Sequence, residues 1–322
     1  MTEAEEPRMH RHFDEADLSR IKPIPIATRA SKVNVADIVD PRSNTASGPG
    51  ALMQAFPDML GADSLKRTVA AMKRARAEKR EIIWLMGAHV VKVGLSGYIG
   101  ALMEAGYITC ISTTGSAAIH DLELAFFGKT SEDVAAELPA GRFGMSRETS
   151  DHFNAAIREG DSVASGLGGS FGHYIDAHRA PHADRSVFAS AHRANLPATV
   201  HVAFGTDITH QHPGFPAEET GRQTMRDFRI LTRRVQNVFN GGVVVLLGSA
   251  VVLREVFLKA TSIAYHLGET PRDVFAVAFD MMPQYRVREN VLSRPFRGAC
   301  ENHMITGHHE IMLPLLYLLL RD

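Results

Sequence analysis

Two cysteines, Cys110 and Cys300, are all that 322 residues contain, which excludes a disulfide framework. There is no charge imbalance either. Lysine and arginine number 35 against 36 aspartates and glutamates, so no global field gathers nucleic acid or an anionic membrane, and neither is an expected partner. No apolar run approaches the roughly 20 residues that span a bilayer. The most apolar stretches, GGVVVLLGSAVVL and IMLPLLYLLL, read as buried strands and a core helix. The opening MTEAEEPRMHRHFDEADL lacks the apolar core of a signal peptide, and the expected location is the cytoplasm. The GxGxxG, GxxxxGK[ST] and HExxH patterns are all missing, which removes the usual dinucleotide, P-loop and zinc-protease signatures.

What is present is ordinary in bulk, with 45% hydrophobic and 22% charged residues, the composition of a soluble globular protein. Residues 1–60 mix charges, prolines and short apolar runs without sustained periodicity, and read as an N-terminal arm; residues 61–322 read as one α/β domain. DSLKRTVAAMKRARAEKR has the polar start and basic end of a helix. After it, EIIWLMGAHVV is strand-like, GLSGYIGALMEAGY is helical, and ITCISTTGSAAIHDLELAF gives a strand, a small-residue turn and a helix. PATVHVAFGTD, GGVVVLLGSAVVLREVFLKATSIAYHLG, DVFAVAFD and HHEIMLPLLYLLL continue the alternation. This is the pattern of a parallel sheet with helices on both faces. Small residues follow the strands at Gly87–Ala88, Gly115–Ala118, Gly205–Asp207 and Gly248–Ala250. In a parallel sheet those positions share the edge where ligands bind. The glycine-rich EGDSVASGLGGSFG follows no clear strand and reads as a flexible loop.

Sixteen histidines raise the question of metal or proton chemistry. GTDITHQHPG places Asp207, His210 and His212 within a few positions, and ENHMITGHHE adds His303, His308, His309 and Glu310. Carboxylate and imidazole are common ligands of borderline metals. Imidazoles also move protons near neutral pH, since free histidine titrates at about 6.5. Helix caps and loop hydrogen bonds would use the same side chains, and the three readings stay open.

From WLMGAHVVKVGLSGYIGALMEAGYITCISTTGSAAIHD the chain resembles the deoxyhypusine synthase family. Gly94–Leu95, Thr113–Thr114 and Asp121–Leu122 align without a gap on the family's Gly-Leu, Thr-Thr and Asp-Leu. TDITH, VVVLLGSAVV and EIMLPLL continue the likeness at lower strength. The resemblance implies a Rossmann-like subunit, NAD bound at the strand ends, and a homotetramer with active sites at subunit interfaces. Its cofactor loops fall on Ala88 and His89, on Thr113, Thr114 and Gly115, on Asp207, and on Gly248 and Ser249, with Asp121 carried along.

The family's chemistry is where the chain departs. The Trp-Gly-Lys that carries the imine-forming lysine lies over Ser293, Arg294 and Pro295, and its Lys-His-His over Leu253, Arg254 and Glu255. The paired glutamates become Ile119 and His120, while Glu289 falls on a pocket glutamate. Lys92 is a candidate relocated lysine, read as lying at the start of a helix. The expectation is an NAD-binding transferase or oxidoreductase acting at a C–N bond of a small amine or polyamine-like substrate, without making deoxyhypusine. His120, His210, His212, Glu289 and Lys92 would carry the chemistry. The alternatives are a metal-dependent hydrolase or lyase with Asp207, His210 and His212 as ligands, and a non-catalytic NAD or nucleotide sensor.

Overall fold

The structure is a computed structural model and describes residues 16–28, 30, 39, 48–163 and 165–321. The chain forms two units, Met1–Ile38 and Val39–Asp322. In the first, the described residues form two single helical turns, Leu18–Arg20 and Ile26–Thr28. Asp17 caps the earlier one by accepting from the Ser19 N–H at 3.0 Å. Much of the segment read as an arm lies outside the described residues. Its last part, helix α1 (Pro49–Ala55), belongs to the second unit, where Leu52, Met53 and Phe56 pack on the core.

The second unit is built on a six-stranded sheet: β1 (Ile82–Met86), β2 (Cys110–Thr114), β3 (Ala198–His201), β4 (Val243–Leu247), β5 (Val274–Asp280) and β6 (Cys300–Thr306). The order is β3-β2-β1-β4-β5-β6 and every pairing is parallel. This is the doubly wound order, in which the direction of winding reverses between β1 and β4. All five residues of β1 pair with the five of β4, from Ile82 opposite Val243 to Met86 opposite Leu247. The two strands therefore end level, and their following turns lie side by side.

β1 and β4 are buried along their whole length, as strands covered on both faces must be, and this explains their unbroken apolar sequence. Alternate side chains go to opposite faces. Ile82, Trp84 and Met86 enter one core cluster with residues of α2 (Leu60–Ala77), α4 (Ser96–Glu104), α5 (Gly115–Phe127), α7 (Arg147–Ser162), α8 (Leu167–Ala177), α9 (Val187–Arg193) and α13 (His309–Leu320). Ile83 and Leu85 enter the other, with α10 (Ala217–Val238) and α11 (Val252–His266). The Rossmann-like architecture read from sequence is the observed one.

Two local readings change. The glycine-rich segment is not a loop: it contains the end of α7 and the start of α8. Its glycines let these elements pack, since a Cβ on Gly168 would overlap the Ala198 carbonyl of β3. The histidine-rich ENHMIT is β6, an edge strand whose Glu301 and Asn302 face solvent. Its polar face hides the strand pattern. Among the described residues no helix is long and apolar enough to cross a membrane.

Candidate functional site

The four small-residue segments all follow the C-terminal ends of parallel strands β1 to β4, and so share one edge of the sheet. At the centre, the Gly87 N–H donates to the Leu247 carbonyl at 2.9 Å. A Cβ on Gly87 would overlap the carbonyl of Gly248, and one on Gly248, whose φ is +62°, would overlap the His309 ring. These glycines allow the two turns and the first residue of α13 to close together. His309 is buried, and its Nδ1 has no hydrogen-bond partner among the described residues. Burial holds its pKa below the usual histidine value. The His89 ring, in α3 (Ala88–Lys92), lies 6.0 Å away between centroids. Ala88, His89, Gly248, the buried Ser249 and the orphaned imidazole nitrogen thus lie at the strand ends where the winding reverses, the place a doubly wound sheet offers a dinucleotide. The residues present fit such a group there.

The N-terminus of α5 is arranged differently. A Cβ on Gly115 would overlap the Asp207 carboxylate, which takes a hydrogen bond from the Ser116 N–H. An acidic group thus already sits where helix N–H groups would hold a phosphate. Burial pushes the Asp207 carboxyl up to about 6, against the smaller opposing effect of that N–H. Thr113, at the end of β2, is buried with its hydroxyl unpartnered, and the Thr114 hydroxyl lies 3.0 Å from that of Ser116.

Next to this helix start is a cavity of about 260 Å³ that brings together Lys92, His120, Glu123, Glu132 and Asp207. Sequence reasoning named Lys92, His120 and Asp207 and missed the two glutamates. Glu123 stands three positions after His120 on α5, and the spacing that puts both on one helical face was the available signal. Glu132 accepts from the Gly144 N–H at 3.0 Å with one carboxylate oxygen, while the other is buried without a partner. The Thr130 hydroxyl sits between His120 and Glu123: 2.6 Å from His120 Nδ1 and donating to Glu123 Oε2. Thr149 donates to Glu123 Oε1 at 2.8 Å. Burial, with Lys92 and His89 nearby, lowers the His120 pKa. Three carboxylates face one ammonium in this cavity, a lining suited to a cationic guest.

Lys92 requires a correction. It is the last residue of α3, not the first of a helix, so the macrodipole favours it there. It makes no ion pair among the described residues. The other candidates do not converge on the cavity. His210 Nδ1 accepts from the N–H groups of Gly205 and Asp207, at 3.1 and 3.2 Å, which ties the loop after β3. His212 Nε2 is 2.8 Å from the Gly144 carbonyl, a loop-to-loop bond. Among the described residues no three His, Cys, Asp or Glu side chains are placed to hold a metal ion. Glu289 is the second residue of a π-helical turn, Arg288–Ser293, and pairs with Arg294 at 3.3 Å. His303 stays on β6, 2.9 Å from Ser64 of α2, and His308 is exposed. Asp121 is fully buried and accepts from the Ser186 hydroxyl at 2.5 Å and the Val187 and Phe188 N–H groups at 2.7 and 3.3 Å. It holds the start of α9 instead of reaching the cofactor edge.

Residues 66–158 match the family model described as the C-terminal Rossmann fold of arginine dihydrolase ArgZ-like proteins. No curated protein sequence matches the chain. Among solved structures it is similar to ArgZ, an arginine dihydrolase of the ornithine-ammonia cycle in cyanobacteria, at 17% identity and a TM-score of 0.52, over 82% of this chain and 33% of that one. It is similar to AgrE, solved with ornithine and NAD+, at 15% identity and a TM-score of 0.54, over 80% of this chain and 32% of that one. A protein described as a deoxyhypusine synthase, from Entamoeba histolytica, is 14% identical at a TM-score of 0.50, over 83% of this chain and 91% of that one. The chain spans about a third of the length of the first two proteins. At these identities the likeness is one of fold.

Proposed function

We propose that the chain is an NAD-binding enzyme that acts on a small amine at a carbon–nitrogen bond, and that it does not make deoxyhypusine. The observation that carries this reading is the cavity at the strand-end edge of the doubly wound sheet, where His120 stands among Glu123, Glu132 and Asp207. The NAD-bound structure of AgrE supports the cofactor by analogy of fold.

In this reading Ala88, His89, Gly248 and Ser249 hold the dinucleotide. NAD, when bound, supplies a hydride acceptor. The chain's own residues do the rest. Glu132, with its free buried oxygen, and Asp207 hold the substrate's positive charge. His120 Nε2 takes a proton from the substrate nitrogen, which frees the nitrogen lone pair to assist oxidation at the adjacent carbon. Ser293, Arg294 and Pro295 stand where the family keeps its imine-forming lysine, so the acceptor is water or a free amine. A homotetramer is the assembly that belongs with this reading.

The test is calorimetric titration of the purified chain with NAD, followed by NAD reduction assays with putrescine, spermidine and ornithine. Saturable binding and amine-dependent reduction that His120→Ala removes are expected. No binding at millimolar NAD would overturn the proposal.

A further inference from the structure

We infer that Glu123, acting through Thr130, is the positioning group that fixes His120 with its hydrogen on Nδ1 and presents a bare Nε2 to the cavity. The inference deepens the proposed role of His120 and rests on it for its functional meaning, although its geometry stands alone.

The reasoning is one of hydrogen-bond inventory. An ionised carboxylate only accepts, so the single hydroxyl hydrogen of Thr130 is committed to Glu123 Oε2. The Thr130 oxygen can then meet His120 Nδ1, 2.6 Å away, only as an acceptor. Nδ1 must therefore carry hydrogen. Thr149 donates to the second Glu123 oxygen at 2.8 Å, which anchors the carboxylate from the far side. In a neutral imidazole the remaining nitrogen, Nε2, keeps its lone pair. It has no hydrogen-bond partner among the described residues, and His120 lines the cavity.

The local chain makes this possible. His120 and Glu123 share a face of α5, and Gly128, left-handed at φ +66°, ends that helix and turns the chain back so that Thr130 reaches between them. The charged and titratable groups around the ring are Lys92 and His89 on α3, Glu123 on α5, Glu132 in the following loop and Asp207 after β3. Burial together with Lys92 and His89 keeps the imidazole in its neutral, proton-accepting form near pH 7. When the substrate's N–H bond breaks, an Nε2–H bond forms and the ring becomes an imidazolium. Glu123 balances that cation through Thr130, the division of labour between carboxylate and imidazole known from hydrolytic triads.

The experiment is long-range proton–nitrogen NMR of protein labelled with ring-15N histidine, with His120 assigned from the spectrum of His120→Gln. Neither NAD nor an amine is needed, so the outcome is independent of the proposed activity. Hydrogen on Nδ1 and a downfield, unprotonated Nε2 are expected in the native protein. Thr130→Val, similar in shape but without the hydroxyl, should shift His120 toward the Nε2–H form, and Thr130→Ser should retain the native pattern. Circular dichroism of both variants confirms the fold. Hydrogen on Nε2 in the native protein, or a Thr130→Val spectrum identical to the native one, would overturn the inference. In the amine-dependent assay Thr130→Val should lower kcat by about 10²-fold with KM unchanged.

Discussion

A buried carboxylate far from the cavity offers the sharpest test of the energetics. Asp227, on α10, is fully buried. Its Oδ2 accepts from the Val200 N–H at 2.7 Å and the Gly168 N–H at 3.0 Å, tying α10 to β3 and to the start of α8. Its Oδ1 has no partner among the described residues. Burial, only partly offset by the N–H donors, pushes the carboxyl from 3.8 up to about 7. The folded state thus binds this proton more tightly than the unfolded chain does. Stability is then greatest below the unfolded value, falls as pH rises from about 4 to about 7, and is constant above. At about 1.36 kcal/mol per unit, a shift of this size corresponds to about 4 kcal/mol. Asp227→Asn keeps an oxygen for the two N–H groups and carries no charge. Urea unfolding of both proteins between pH 4.5 and 8.5, followed by Trp84 fluorescence, isolates the effect. The variant should gain on the native protein progressively with pH, approaching an advantage of about 4 kcal/mol at pH 8. A constant offset across the range, or a variant less stable than native at pH 8, would refute the account of Asp227 as a buried acid.

Three more tests bear on the sheet edge and the core. Gly248→Ala should destabilise the protein by about 1–3 kcal/mol because the new methyl meets the His309 ring, and adding His309→Ala should recover part of the loss in a thermal-unfolding cycle. Independent, additive effects would deny the contact. Asp121→Ala strands three buried donors at the start of α9, so its unfolding midpoint should fall by the equivalent of about 3 kcal/mol; weaker NAD binding at unchanged stability would instead return Asp121 to the cofactor edge. Trp84 is the sole tryptophan, has no exposed surface, and donates to the Tyr107 carbonyl at 3.1 Å. Native emission should be blue-shifted and resist acrylamide quenching, and quenching as strong as in the unfolded chain would contradict its placement.

The parts of the fold that were legible in the sequence were those where both faces of an element are buried. β1, β4 and β5 announce themselves as continuous apolar runs because helices cover the sheet on each side. β6 does not, because an edge strand buries little and its Glu301 and His303 serve polar contacts with α2. The glycines of α8 were misread for a related reason: glycine marks conformational freedom in a sequence, but here it marks close approach, which only the packed partner reveals. Composition separates these two uses poorly.

The candidate site divides along the same line. Asp207 was found because it follows a strand, a position that topology alone makes functional, and His120 because it falls on one of the paired glutamates of the family the chain resembles. Thr130, Glu123 and Glu132 were not, because nothing in a linear sequence states that a threonine beyond a helix end returns to bridge two side chains on that helix. The histidines of GTDITHQHPG show the converse error. Their spacing suited a metal, yet His210 and His212 are tied to the backbone of their own loop and of its neighbour. Spacing along an irregular segment fixes no common direction for side chains, whereas spacing on a helix does. The i, i+3 pair on α5 therefore carries more chemical information than the denser cluster in the loop.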